Sequence, residues 1–152
     1  MSRATTVRLD LGALVHNLRR VRAAAPGRRV AAAVKAEGYG HGLVRTARAL
    51  DADAFAVACV EEALALREAG IDRRIVLLEG VFEADELPWC AQHALDIAVH
   101  QPEQLRMLEL ARLERPLRVW LKIDSGMHRL GLAPETAAAA FQRLRVCSAV
   151  QA

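Results

Sequence analysis

"VAAAVKAEGYGHG", residues 30–42, is the stretch on which the fold turns. An apolar run reads as a buried strand, a single lysine, Lys35, stands at its end, and three glycines interleaved with Tyr39 and His41 then break the chain. Glycine gives up more backbone freedom on folding than any other residue, so three in five positions mark a turn of demanding shape. The turn leads into a helical pattern, where backbone amides and the helix dipole favour an anion such as phosphate.

Working outward, short runs rich in Val, Ile, Ala and Leu recur near Ala54, Ile75, Leu95 and Leu117. They are spaced by roughly 20 to 24 residues with a helical pattern between each pair, the alternation of βα units. The patterns predict helices over residues 41–50, 60–69, 83–93, 102–113 and 134–146, with Pro102 and Pro134 suited to first turns and Gly70 to a stop. An earlier amphipathic segment, residues 11–24, has Asp10 as its N-cap and ends before Pro26-Gly27. Strands apolar on both faces and joined by helices imply a parallel sheet. Five short units with no GxGxxG after the first strand favour the α/β class in its barrel form. The expectation is a partial (β/α)8 TIM-type barrel, about the first five βα units, ending before the sixth strand. Functional groups in such barrels gather at the C-terminal ends of strands. Lys35 sits at that end of the first strand, and "KIDSGMHRLG", residues 122–131, at that end of the fifth.

The chain of 152 residues is 53% hydrophobic and carries a formal charge of +3, with acidic and basic residues interspersed. That composition suits one domain with a sizeable core, and no basic stripe marks a nucleic-acid surface. Its apolar runs are too short for a membrane span and residues 1–10 lack the apolar core of a signal peptide, so a cytoplasmic location is expected. Cys59, Cys90 and Cys147 have neither disulfide nor zinc-site spacing and read as buried thiols, and no metal is expected.

One compositional skew bears on chemistry. Of 21 basic residues only Lys35 and Lys122 are lysines. Codon bias produces such a skew, but lysine can also lose its proton and attack a carbonyl, which arginine cannot. A strand-end amine beside a phosphate cradle is, in outline, a pyridoxal phosphate arrangement.

At these residues the chain resembles a known family. "AVKAEGYGHG" is similar to the cofactor-lysine signature of alanine racemases, "LKIDSGMHRLG" resembles their second motif at a fitting distance, and "LDLGALVHNL" resembles their opening helix. Glu37-Gly38 departs from the Asp or Asn followed by Ala that is common there. The resemblance implies a pyridoxal 5'-phosphate barrel domain, of which residues 1–152 would be the N-terminal part, with further barrel units and a β-rich domain absent. It implies that Lys35 carries the cofactor as a Schiff base and serves as the base on one face of the alanine Cα. Tyr39 would hold the cofactor phosphate, Arg129 would lie beside the cofactor's phenolic oxygen and the substrate carboxylate, and Met127 would line the pocket. Lys122 matches a position often carbamylated, which would turn it into an anion able to orient Arg129. The implied activity is interconversion of L-alanine and D-alanine for peptidoglycan, by a homodimer whose partner subunit supplies the second base.

Blander readings stand beside these. Lys122 is equally an amine paired with Asp124, Asp124 a support for its turn, His41 a helix-start residue bonded to backbone, and His128 a solvated loop residue. Two other functions stay open: another pyridoxal phosphate barrel enzyme or carrier, and an inactive fragment that binds cofactor or a partner.

Overall fold

The computed structural model describes residues 6–151. Residues 1–5, half of the stretch read above against a signal peptide, and residue 152 lie outside that range. Helix α1 (Leu11–Ala24) begins where the Asp10 carboxylate accepts the Ala13 N–H at 3.0 Å, the side-chain cap expected of an aspartate there. The chain then alternates: β1 (Ala31–Ala33), a helical turn α2 (Lys35–Gly40), α3 (Leu43–Ala49), β2 (Ala54–Val57), α4 (Val60–Glu68), β3 (Arg74–Leu77) and α5 (Glu86–Gln92). It continues through β4 (Asp96–Val99), α6 (Pro102–Leu110), β5 (Val119–Leu121) and α7 (Pro134–Arg145). All five strands are parallel and lie in sequence order, β1-β2-β3-β4-β5. This is the consecutive winding of a (β/α) barrel, since an open doubly wound sheet reverses its strand order.

The two faces of the sheet differ in kind. Phe55, Val57, Ile75, Leu77, Ile97 and Val99 point to the helical layer and are almost wholly buried with Leu66, Leu87, Leu105 and Leu108 from the helices. Burial of each such side chain is worth about 1.5 to 3 kcal/mol, so this layer is the main source of stability. The alternate residues, among them Ala31, Ala33, Ala54, Ala56 and Ala98, take the opposite, concave-side face, where Trp120 is half exposed.

Two details refine the expected layout. After α7, Val150 pairs in parallel with Leu117, so the chain reaches the first pairing on the far side of β5. The helices are also shorter than their apolar patterns. His41 and Gly42 belong to the preceding turn, with Gly42 at φ 90. The amides of Phe82 and Glu83 fold back onto the Glu86 carboxylate, which delays α5 to Glu86. α6 stops at Leu110 because Ala111 is already extended. Among the described residues, no helix is long and apolar enough to cross a membrane.

At the N-terminal ends of the strands, buried Asp96 accepts from Arg118 at 3.1 Å and from the Trp120 indole at 2.9 Å, with Arg74 at 3.7 Å. A carboxylate out of water needs such partners. This cluster closes the rim opposite Lys35 and supports the fold, not the chemistry.

Candidate active site

Lys35 lies two residues beyond the last residue of β1, on the C-terminal rim, as its place in the sequence requires. Its Nζ meets the Glu79 carboxylate at 3.0 Å, with both side chains roughly a third exposed. Glu79 follows the end of β3 by two residues and has its own carbonyl fixed by Gln104 Nε2 at 2.8 Å and His100 Nε2 at 3.0 Å. Only a nitrogen carrying hydrogen can donate to a carbonyl, so His100 is protonated at Nε2 there.

The chain beyond Lys35 takes an unusual course. Ala36, Glu37, Gly38 and Tyr39 all have φ between 52 and 60, a full turn of left-handed helix. For the three non-glycine residues this costs about 1 to 2 kcal/mol each, and strain of this kind collects at functional sites. Gly38 is required for more than its φ: a Cβ there would stand 2.9 Å from Thr46 Oγ1. What holds the turn is carboxylate and ring hydrogen bonding. Glu62 accepts from the Ala36 N–H at 2.6 Å and the Ala58 N–H at 2.8 Å, clamping the Lys35 segment to the start of α4. The His41 Nδ1 donates to the carbonyls of Gly38 and Tyr39, bonding to backbone as its position suggested.

One expectation is corrected here. The amino end of the helix after the glycines does not stand open for a phosphate, because Glu37 Oε2 accepts the Leu43 N–H at 3.3 Å. A carboxylate of the chain itself fills the place of the anion, and α3 is seven residues long with a weak dipole. Tyr39 is 60% exposed on the same turn, its phenol directed outward.

The second motif forms a loop after β5. Its neck is zipped by Asp124 N–H to Leu132 O and Leu132 N–H to Lys122 O, both 2.9 Å. Gly131 allows this closure, since a Cβ would lie 2.4 Å from Asp124 N. Asp124 organises the tip: its carboxylate accepts from the amides of Gly126 and His128 and from His128 Nδ1, each at 3.0 Å. The Gly126 N–H first, and then that of His128, hold the Asp124 carboxyl down at about 2. Asp124 thus supports the turn, and half-buried Lys122 is not its ion-pair partner. Met127 is 75% exposed and Arg129 is exposed.

The two motifs therefore share one rim but do not touch through any hydrogen bond or ion pair among the described residues. β1 and β5 are the outer strands of the sheet, about 19 Å apart along it at 4.8 Å per strand. The family model described as "Alanine racemase, N-terminal domain" matches residues 9–152. The chain belongs to this family. An alanine racemase of Pectobacterium carotovorum is 55% identical over 97% of the chain and 41% of its own length. A biosynthetic alanine racemase of Escherichia coli is 56% identical over 97% of the chain and 42% of its own length. The solved structure of the biosynthetic alanine racemase of Pseudomonas aeruginosa superposes with a TM-score of 0.89 at 46% identity, covering 94% of the chain and 40% of that protein. The chain thus spans about two fifths of the alanine racemases it matches, and its fold is that of their barrel domain.

Sequence reasoning missed Glu79, Glu62, Gln104 and His100. Glu79 was accessible to it, being a charged residue just past an apolar run at a strand's C-terminal end. Glu62 was hidden, because the residue at the N-cap is Cys59, which carries no capping oxygen.

Proposed function

We propose that the protein serves as an alanine racemase dependent on pyridoxal 5'-phosphate, acting in the cytoplasm as a homodimer and supplying D-alanine for the cell wall. The observation that carries this reading is the Lys35 amine, presented at the rim of β1 by a strained left-handed turn. The donor set suits the cofactor: an amine for its aldehyde, an outward phenol at Tyr39 for its phosphate, and the guanidinium of Arg129 for a phenolate or carboxylate. When bound, the cofactor acts as an electron sink that makes the amino-acid Cα–H acidic.

The chain's own groups have these tasks. Lys35 would hold the cofactor through Nζ, and its free amine would remove or return the proton on one face of Cα. Tyr39 Oη would donate to the phosphate. Arg129 binds the substrate carboxylate with a planar fork of donors, and Met127 lines the approach. Among the described residues, Lys122 donates only its backbone N–H, to Val99 O. Carbamylation of its amine would give Arg129 an anionic partner. Racemisation also needs a group on the other face of Cα, and we assign it to a part of the enzyme outside residues 1–152, brought by the partner subunit. On this reading residues 1–152 are the N-terminal part of the barrel domain, and the activity belongs to the whole enzyme.

Borohydride reduction of the natural full-length protein with pyridoxal phosphate, followed by peptide mapping, tests the assignment. The adduct is expected on Lys35. An adduct on Lys122, or a protein that retains no cofactor, would overturn the reading.

A further inference from the structure

The rim of β3 carries a device that the racemase chemistry as described above does not use. Glu79 is the one carboxylate in contact with the Lys35 amine among the described residues, at 3.0 Å. It is also held with more care than a surface ion pair requires. Its carbonyl takes two hydrogen bonds, from Gln104 Nε2 and His100 Nε2. Gln104 is itself 1% exposed and is fixed in turn by the His100 N–H on its Oε1 and by Val81 O on its Nε2. The next residue, Gly80, has φ 69 and no space for a side chain: a Cβ would fall 2.2 Å from Ala98 O and 2.5 Å from Gln104 Nε2. A fully buried amide, a histidine and a close backbone approach from β4 therefore fix the backbone from which Glu79 reaches Lys35.

We propose that Glu79 is a positioning residue for Lys35, a docking post whose contact with Nζ holds the amine at the rim before the cofactor arrives. The ion pair with Glu79 engages Nζ and fixes its direction, so an electrophile has to displace the carboxylate before it reaches the amine. Glu79 thus lowers the reactivity of Lys35 toward indiscriminate electrophiles while holding Nζ ready for a carbonyl compound seated at the rim. The inference rests on the reading of Lys35 as the cofactor lysine, and concerns that residue before loading.

The other charged or titratable groups about Lys35 are Glu62 on α4 beneath Ala36, Glu37 and Tyr39 on its own turn, and His100 behind Glu79. Glu62 is engaged with two amides, Glu37 with the Leu43 amide, and His100 with the Glu79 carbonyl. Glu79 is the group whose charge acts on Nζ by contact.

The chain offers its own control, since Lys122 is the other lysine. Competitive labelling of the cofactor-free, full-length protein with acetic anhydride, read lysine by lysine by mass spectrometry, measures amine reactivity without any catalysis. In Glu79→Gln, which keeps size and hydrogen bonding but removes charge, Lys35 should be acetylated about three- to fivefold faster and Lys122 at the wild-type rate. In the wild-type protein, raising salt to about 1 M should speed labelling of Lys35, and Glu79→Gln should not show that response. Glu79→Asp should restore part of the protection. The proposal is overturned if Lys35 labelling in Glu79→Gln changes by less than about 1.5-fold, or if both lysines accelerate together, which is general loosening. Should that variant not fold, a Lys35 rate in the wild-type protein that ignores salt overturns it as well. Borohydride trapping is independent of all these rates, so failure of the cofactor assignment and failure of the Glu79 role are separate results.

Discussion

The two rim segments that bear the family's motifs are built on opposite plans. The segment after β1 is held at nearly every residue: Ala36 by Glu62, Gly38 by Val34 O, Leu43 by Glu37, and Lys35 by Glu79. The segment after β5 is zipped at its neck and tied at its tip by one aspartate, while Met127 and Arg129 face solvent. On the proposed reading of Lys35 and Arg129, the difference follows the chemistry. A group that forms a covalent bond gains from being placed in advance, because an error of about 1 Å at the reacting atom is enough to cost rate. A group that grips a ligand through charge can close on it after arrival, and such groups belong on loops.

The sharpest way to break this contrast is at Lys35 itself. Lys35→Arg keeps a cation at the rim, but a guanidinium stays protonated and cannot attack an aldehyde. Visible absorbance and borohydride-trapped cofactor should both be lost completely, and any residual adduct at that site would remove Lys35 from its role. In the looser segment, Arg129→Lys retains charge and loses the planar fork. Turnover in the full-length enzyme should fall by one to three orders of magnitude, about 1.4 to 4 kcal/mol at the transition state, with the cofactor still attached. Wild-type kinetics would make Arg129 a bystander.

Smaller effects separate rigid from loose by stability. Glu62→Ala leaves the Ala36 and Ala58 amides without their carboxylate and releases a strained turn, so unfolding in urea should show a loss of about 2 to 3 kcal/mol. A change under about 0.5 kcal/mol would mean that the left-handed turn holds itself. The gentlest probe is pH at Asp124. Its folded carboxyl titrates at about 2, below the ordinary carboxylate range, so its contribution to loop order is complete above the unfolded value. That contribution is lost as pH falls through about 2. Amide exchange at Gly126 and His128, corrected for intrinsic rates, should lose protection on acidification while the Gly38 amide, bonded to the Val34 carbonyl, keeps it. Simultaneous loss at both segments would erase the distinction drawn between them.

Much of this architecture was legible before any coordinates. The period of the apolar runs placed five strands and the helices between them, and α1 has the predicted bounds with the predicted cap. Lys35 was placed by the rule that strand ends carry function. The left-handed turn was not legible, because three of its four residues are ordinary amino acids that seldom adopt positive φ, and only Gly38 signals it. Nor was the use of Glu37 as a cap, which required knowing that the turn swings its carboxylate back over Leu43. Glu79 is a tertiary contact across two strands, 44 residues away in sequence, and no local pattern encodes such a meeting.

The alanines of the concave-side face have a consequence in volume. Close-packed interiors leave few voids larger than a water molecule, and barrel interiors are filled by layers of side chains from alternate strands. Here β1 and β2 present Ala31, Ala33, Ala54 and Ala56, while Val76 of β3 and Trp120 of β5 take the same face, so its β1–β2 side contributes methyl groups where a layer needs bulk. Whatever packs against that side has to bring the larger side chains, so the volume of the layer is divided unequally along the sheet.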